Sequence, residues 1–336
     1  MKAPTVAVVI VTYRTAELTV DCLRSLADER GTNDLNITAI VVDTSSDDFL
    51  FIQKAIEENE WGDWVKLNCA SRNGGFAYGN NIGIQIASRD VAPDYIHLLN
   101  PDTLVRKGAI LSLVQFLEAR SSAGIAGSSF ENLDGSDWPI AFRFPTILSE
   151  MEEGLQFGIA SKLLRRWVVA RKMGKLPEPT DWIPGASMMI RKAVFDSIGT
   201  LDEGYFLYFE ETDFCFRAQQ KGFETWYVPD SRVMHIAGQS TKVTERDAKT
   251  KRLPPYWFQS RRRFFVKTYG RWYAILTDIV ALFSRVLGMV KRVIFRQTDR
   301  GIPFFISDLV RYSAVWPRNA ISKMRRKELP LFHGDS

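Results

Sequence analysis

An α/β fold with a mainly parallel central sheet flanked by helices is the class this 336-residue sequence predicts. Three observations carry it. Short apolar runs such as VAVVIVTY, Val6 to Tyr13, contain no charged residue, the mark of a strand covered on both faces. Segments of helical period separate these runs, and strand–helix alternation favours parallel pairing. Thr12, Asp43, Asn73 and Asp102 fall at or just after predicted strand ends, the edge where open parallel sheets take ligands.

The elements follow in chain order. VAVVIVTY is the first strand. Ala16 to Asp28 carries Leu18, Cys22, Leu23 and Leu26 at helical spacing. Ile37 to Val42 is a second strand ending at Asp43, and Phe49 to Glu58 is a helix. WVKLNC is a third strand and runs into the glycine-rich SRNGGFAYGNNIGIQIAS. DYIHLLNPDT is a fourth strand with an acidic end, Gly108 to Ala119 a helix, and AGIAGSSF a further strand. Pro139 to Pro179 is less regular, with helical character over Ile159 to Met173.

Composition excludes several classes. At 46% hydrophobic and 25% charged, the chain is globular. Cys22, Cys69 and Cys215 form no CxxC pair, which excludes a zinc ribbon, gives no disulfide framework and predicts a reducing compartment. The first apolar run has neither a charged leader nor a cleavage site, so no secretory signal is expected. From Tyr256 onward the chain carries 16 Lys+Arg against 5 Asp+Glu, a net +11, whereas the first 255 residues carry 28 against 34, a net −6. Regions of opposite sign meet different partners.

Four stretches carry candidate chemistry, each with a plainer reading beside it. RNGGFAYGNNIG is neither GxGxxG nor a P-loop. Its glycines allow close backbone approach to a ligand, and Asn73, Asn80 and Asn81 add amide groups, but a tight strand-to-helix turn uses the same residues. In HLLNPDT, Asp102 is placed either to hold a divalent cation or to cap the next helix. YFLYFEETDFCFRAQQKG, Tyr205 to Gly222, sets Glu210, Glu211 and Asp213 among aromatics. Two acids at a helix N-terminus suit the dipole, and Asp213 can pair with Arg217 four residues on. Carboxylates crowded in an apolar cleft also have raised pKa values, which suits a general base. His235, one of three histidines, is either structural or a metal ligand with Asp102 as its partner.

Taken in order, VVIVTYRT, VVDTSS, RNGGFAYGNNIGI, LLNPDT, PGASMMIRK, YFLYFEETDFCFRAQQKG and HIAGQST resemble glycosyltransferase family 2, and within it the bacterial rhamnosyltransferase-like branch. The resemblance runs from Val6 to Ser260. It implies a GT-A fold over residues 1–255, with a nucleotide-sugar-binding half (1–130) and an acceptor-binding half (131–255) that carries the base. It implies an inverting transfer from a nucleoside-diphosphate sugar, dTDP-L-rhamnose in that branch, assisted by Mg²⁺ or Mn²⁺. Carried over by position, Thr12, Tyr13 and Arg14 line the nucleotide end of the first strand, and Asp43 receives the base or ribose. Arg72, Asn73, Gly74 and Gly79 close over the nucleotide. Asn100, Pro101 and Asp102 stand where the family has DxD, Glu211 at the catalytic-base position and His235 at the late metal position. Asn100 replaces the first acid of DxD, and Glu211 stands where Asp is usual, so the base remains open among Glu211, Glu210 and Asp213. A UDP- or GDP-sugar donor stays open too, as does an inactive scaffold, whose support is Asn100.

Residues 256–336 form a basic aromatic region. Trp272 to Val290 is apolar except for Asp278 and Arg285, which are seven apart on one helical face and costly at a bilayer centre. A basic amphipathic helical extension lying in an anionic membrane surface is therefore expected, in preference to a span or to a helix packed on the catalytic domain. No nucleic-acid motif accompanies the charge, so no nucleic-acid partner is expected. Joined to the resemblance, the tail predicts a lipid-linked glycan acceptor. It also predicts a peripheral enzyme on the cytoplasmic face of the bacterial inner membrane, working in surface-polysaccharide assembly.

Overall fold

The computed structural model describes residues 3–30, 34–155, 158–236, 252–296 and 302–315. Its first part alternates as expected: β1 (Thr5–Thr12), α1 (Ala16–Arg30), β2 (Asn36–Asp43), α2 (Asp48–Glu58), β3 (Val65–Cys69), α3 (Phe76–Asp90), β4 (Tyr95–Leu99), β5 (Thr103–Val105), α4 (Ala109–Ala119) and β6 (Ala123–Glu131). Short elements follow: β7 (Asp137–Trp138), β8 (Ile140–Phe142), α5 (Ile147–Leu155), α6 (Gly158–Leu163), β9 (Ala170–Lys172) and β10 (Glu178–Thr180). Then come β11 (Ser187–Arg191), α7 (Lys192–Ile198), α8 (Glu210–Gln219) and β12 (Glu224–His235), and last α9 (Pro255–Tyr269), α10 (Arg271–Ile294) and α11 (Phe305–Tyr312).

The main sheet runs β10-β12-β6-β11-β4-β1-β2-β3, with β5 paired to β12 and β7 to β6. Along that path β3, β2, β1 and β4 pair in parallel, as do β6 and β12. β11 is antiparallel to both β4 and β6, and β10 is antiparallel to β12. Val6, Val8, Val9 and Ile10 are fully buried, which is why β1 reads as an unbroken apolar run. Two glycines let α3 lie close to β1. A Cβ on Gly79 would sit 2.5 Å from Val11 Cγ1, and one on Gly83 would collide with Val9.

The helical character expected over Ile159 to Met173 is only partly realised. α6 ends at Leu163, a single 3₁₀ turn covers Arg165–Trp167, and Ala170–Lys172 is a strand paired with β8. Val168 and Val169 are β-branched and favour that ladder, and the Arg143 N–H donates to the Val169 carbonyl at 2.8 Å.

The chain forms two compact units, Met1–Phe144 with Val169–Lys249 and Pro145–Val168 with Thr250–Ser336. The division is therefore not a single cut near residue 255, because α5 joins the C-terminal helices. A Cβ on Gly154 of α5 would strike the Ser284 hydroxyl, and one on Gly288 would strike the Gly154 carbonyl. Only small residues on that face of α10 allow so close an approach. Arg261 of α9 is 1% exposed and donates to Glu150 at 2.9 Å and to Asp278 at 2.5 Å. Arg285 pairs with Glu150 at 3.5 Å and Glu153 at 3.2 Å. The part of HIAGQST after Ile236, and residues 297–301 and 316–336 of the basic region, lie outside the described residues.

Candidate active site

β1 and β2 end in register, Thr12 opposite Asp43. Just past these ends Arg14 and Ser45 hold φ of 56° and 61°, left-handed backbone that turns the chain away from the sheet edge. Thr12 is turned inward. Its hydroxyl donates to Asp48 Oδ2 at 2.9 Å, and its carbonyl accepts the Thr44 N–H at 3.0 Å. Asp43 is different. Its Oδ1 accepts the Ser46 N–H at 3.1 Å and the Ser46 hydroxyl at 2.5 Å. Its Oδ2 is buried without a hydrogen-bond partner, and burial pushes the Asp43 pKa above the ordinary value. The Arg14 guanidinium lies 5.3 Å from the Tyr13 ring centroid.

The glycine-rich loop is tied to the acidic segment. Asn73 Oδ1 accepts the Gly75 N–H at 3.0 Å. Gly75 has φ +88°, and a Cβ there would strike the Phe206 carbonyl, which also accepts the Phe76 N–H at 2.9 Å. Glycine is required by both the dihedral and the contact. Gly74 lies against the Tyr78 ring, over which Arg72 sits at 4.8 Å. Asn80 donates to its own helix at the Phe76 carbonyl, and Asn81 holds Leu201 and Glu203. The amides of Asn80 and Asn81 thus serve the fold.

Tyr208 and Phe209 both have φ 69° immediately before α8. Consecutive left-handed aromatic residues are strained, and such strain persists where the surroundings enforce it. The turn delivers Glu210 and Glu211 to the first turn of α8, with Glu210 only 2% exposed. The Oε2 atoms of both are buried without a hydrogen-bond partner. Burial first, and then the charge of Glu211, holds the Glu210 pKa well above the usual carboxyl range. Burial also raises Glu211, but the backbone N–H groups of Glu211 and Gly185, with the Glu210 carboxyl, favour its charged form. Burial thus shifts both acids upward, as suits a group that must take up a proton. Asp213 is engaged elsewhere. It accepts from Arg217 at 2.8 Å and from the Tyr205 hydroxyl at 3.3 Å, while Arg217 holds the Ile198 and Thr200 carbonyls.

Asp102 and His235 meet through the β5–β12 pairing, which sets Thr103 opposite His235. Asp102 Oδ1 and His235 Nε2 are 3.4 Å apart, both buried and neither with a hydrogen-bond partner. An oxygen and an imidazole nitrogen aimed together in this way fit a divalent cation. No group of three or more His, Cys, Asp or Glu suited to a metal occurs among the described residues. Asn100 contributes its backbone here, the carbonyl accepting from the Thr103 hydroxyl at 2.7 Å and the N–H donating to Ala186 at 3.1 Å.

Several participants were not singled out from sequence. Asp48 braces the end of β1 by accepting from Thr12 and the Thr15 N–H; its signal was a pair of acids opening a helix. Ser46 on Asp43 could have been read from the Asp-x-x-Ser spacing of a local side-chain turn. Trp138 stacks on the His235 ring at 6.3 Å, and Phe130 lies 5.4 Å from it. Nothing local in DWPIAF marks that contact.

Comparison with known proteins identifies the family and the fold. A family model described as "Glycosyltransferase like family 2" matches residues 3–252. An N-acetylglucosaminyl-diphospho-decaprenol L-rhamnosyltransferase of Mycobacterium tuberculosis is 28% identical over 153 residues, 44% of this chain and 48% of that protein. Rhamnosyltransferase WbbL of Escherichia coli is 27% identical over 167 residues, 48% and 61% of the two chains. The chain thus spans about half the length of the curated relatives it matches. Among solved structures, the mannosyltransferase PcManGT from Pyrobaculum calidifontis, in complex with GDP-Man and Mn²⁺, aligns at TM-score 0.52 and 13% identity, covering 97% of this chain and 88% of that one. S. aureus TarS 1-349 aligns at TM-score 0.51 and 12% identity, covering 92% and 81%. These likenesses show the fold: the expected GT-A α/β architecture is present.

Proposed function

The chain belongs to glycosyltransferase like family 2, and on that premise we propose that it moves a sugar from a nucleoside-diphosphate donor to an acceptor hydroxyl with inversion. The observation that carries this reading is the Glu210–Glu211 pair, whose Oε2 atoms are buried without hydrogen-bond partners behind a strained turn. Glu211 is the general base. An inverting attack needs a carboxylate to take the hydroxyl proton on the face opposite the leaving group. Glu210 retains its proton and keeps Glu211 oriented. Asp213 steadies the segment through Arg217 and Tyr205.

Asp43 Oδ2, buried and lacking a donor, receives an N–H or O–H of the base or ribose, which stabilises the bound donor. Tyr13, Arg14, Arg72, Asn73 and Gly74 cover the nucleotide. Thr12 and Gly79 act from beneath, holding the strand ends and the close packing of α3. Asp102 and His235 would hold Mg²⁺ or Mn²⁺, which would offset the diphosphate charge. The Asn100 backbone holds the Asp102 turn.

The names of the relatives favour dTDP-L-rhamnose as donor and a lipid-linked glycan as acceptor. The basic residues after 255 support work at an anionic membrane surface on the cytoplasmic side of a bacterial inner membrane. The test is a panel of dTDP-, UDP- and GDP-sugars with and without Mn²⁺, scored by thermal shift and by nucleoside-diphosphate release. A metal-dependent response to dTDP-rhamnose alone is expected. A response to a UDP- or GDP-sugar instead would move the donor assignment. Silence in both readouts, or full transfer by Glu211→Gln, would overturn the reading.

A further inference from the structure

α10 is long and apolar enough to cross a membrane by length and composition. Its polar face, however, is turned into its own unit. Ala274, Thr277, Asp278, Ala281, Ser284 and Gly288 are its buried residues. Asp278 receives Arg261 at 2.5 Å through Oδ1 and the Ala314 N–H at 2.6 Å through Oδ2. Arg285 is occupied by Glu150 and Glu153. The opposite side exposes Trp272 (82%), Leu276 (50%), Ile279 (53%), Phe283 (65%), Val290 (49%) and Val293 (78%). The helix is thus amphipathic in the inverse sense, charges inward and apolar surface outward.

We propose that this outward face of α10 inserts in the plane of an anionic lipid monolayer, as the anchor of the unit formed by Pro145–Val168 and Thr250–Ser336. Three observations favour lipid over another occupant. With Leu287 and Met289, which are also exposed, the apolar residues cover an arc of about 160° at about 100° per residue, wider than the narrow stripe that seats one partner helix. Exposed Arg271 and Arg296 bracket the face at its two ends, and cations there complement anionic headgroups. Trp272 is exposed at one end of the face, where the headgroup boundary favours its amphipathic ring. A span is disfavoured because crossing would carry the Glu150–Arg261–Asp278 cluster, and the helices that hold it, into hydrocarbon. The proposal rests on the membrane-surface reading of residues 256–336 given above, and names the face and the driving force.

The experiment is flotation of the full chain with phosphatidylcholine vesicles containing about 30 mol% phosphatidylglycerol, at physiological salt and at about 1 M, where the Debye length is ~3 Å. The wild type is expected to be monomeric and to float. Part of the binding should survive high salt, because apolar insertion is not screened. Ile279→Asp/Phe283→Asp should lower vesicle partitioning by at least about tenfold with its melting temperature and nucleotide-sugar thermal shift retained. A milder pair, Ile279→Ser/Phe283→Ser, should fall between if the aspartates perturb folding. Equal flotation of wild type and both variants overturns the proposal. So does a wild-type dimer that fails to float, which would seat a second copy on this face, or a monomer that fails to float, which would mean residues 316–336 cover it. Resistance to alkaline carbonate extraction would also overturn it, in favour of a span. Vesicle binding with no donor shift or transfer would leave the anchor standing and sink the sugar-transfer reading instead.

Discussion

Glu150 in α5 and Glu211 in α8 are both acids withdrawn from water, and the two units treat them in opposite ways. Glu150 lies between two guanidinium groups, Arg261 at 2.9 Å and Arg285 at 3.5 Å. Those cations overcome burial and hold its pKa below the ordinary value. At Glu211 burial outweighs the backbone N–H groups and the Glu210 carboxyl that favour its charged form, and its pKa goes up. Burial alone therefore does not mark a reactive acid. An acid whose charge is cancelled by close cations is held in place and made a poor proton acceptor. An acid left short of cations is costly to keep and ready to take a proton.

The comparison can be broken most directly at its reactive end. Glu211→Gln is expected to reduce sugar transfer by about 10²–10⁴-fold while the melting temperature hardly moves. A matching loss of stability would place Glu211 with Glu150 as a structural acid. At the other end, Arg261→Ala should cost about 3–5 kcal/mol, because Glu150 and Asp278 stay buried without their cation. Denaturant titration would read it. Replacing all three by apolar residues of similar volume should recover most of that loss, which separates a buried-charge penalty from lost packing.

Gly75→Ala tests the tie between the glycine-rich loop and the acidic segment. The positive φ and the clash with the Phe206 carbonyl should destabilise by about 1–3 kcal/mol and weaken donor binding. An unchanged donor shift would show that the two segments act independently.

The smallest expected effects lie in pH dependence and should have opposite signs in the two units. Glu210 titrates above its ordinary value when folded, so its contribution is full below the ordinary carboxyl pKa and is lost as pH rises through the folded value. Glu150 titrates below its ordinary value, so its contribution is full above that value and is lost as pH falls through the depressed one. From about pH 5 to pH 8, Glu210→Gln should gain on the wild type in thermal melts, by at most ~1.4 kcal/mol per pH unit. The deficit of Glu150→Gln should hold over that range and shrink only in stronger acid. Parallel trends for the two variants would refute the contrast.

The alternation of strand and helix, the fully buried β1 and the polar strand ends were legible because they are written in local period and composition. The acidic stretch stood out because three carboxylates among aromatics violate the usual pattern of burial. Other features were not legible because they depend on partners far away in sequence. The antiparallel insertion of β11 between β4 and β6 leaves no trace in an apolar run, which reads alike in either direction. The spacing of Asp278 and Arg285 shows that they share a face, but periodicity gives a stripe and not the side from which it is covered. That the stripe faces α5 is decided by Glu150, more than a hundred residues earlier. Asp213 has the same character: its pairing with Arg217 follows from spacing, whereas the grip of Arg217 on the Ile198 and Thr200 carbonyls does not.

The clasp between α5 and the C-terminal helices also sets an order of events during synthesis. Arg261 follows Glu150 by 111 positions and Arg285 follows it by 135. At about 5–20 residues per second, α5 leaves the ribosome roughly 5 to 25 seconds before its cations exist. Through that interval Glu150 has no reason to leave water, and α5 waits without the helices that complete its unit. A chain stopped at Pro255 should keep α5 open to protease indefinitely, and completion of α10 should protect it.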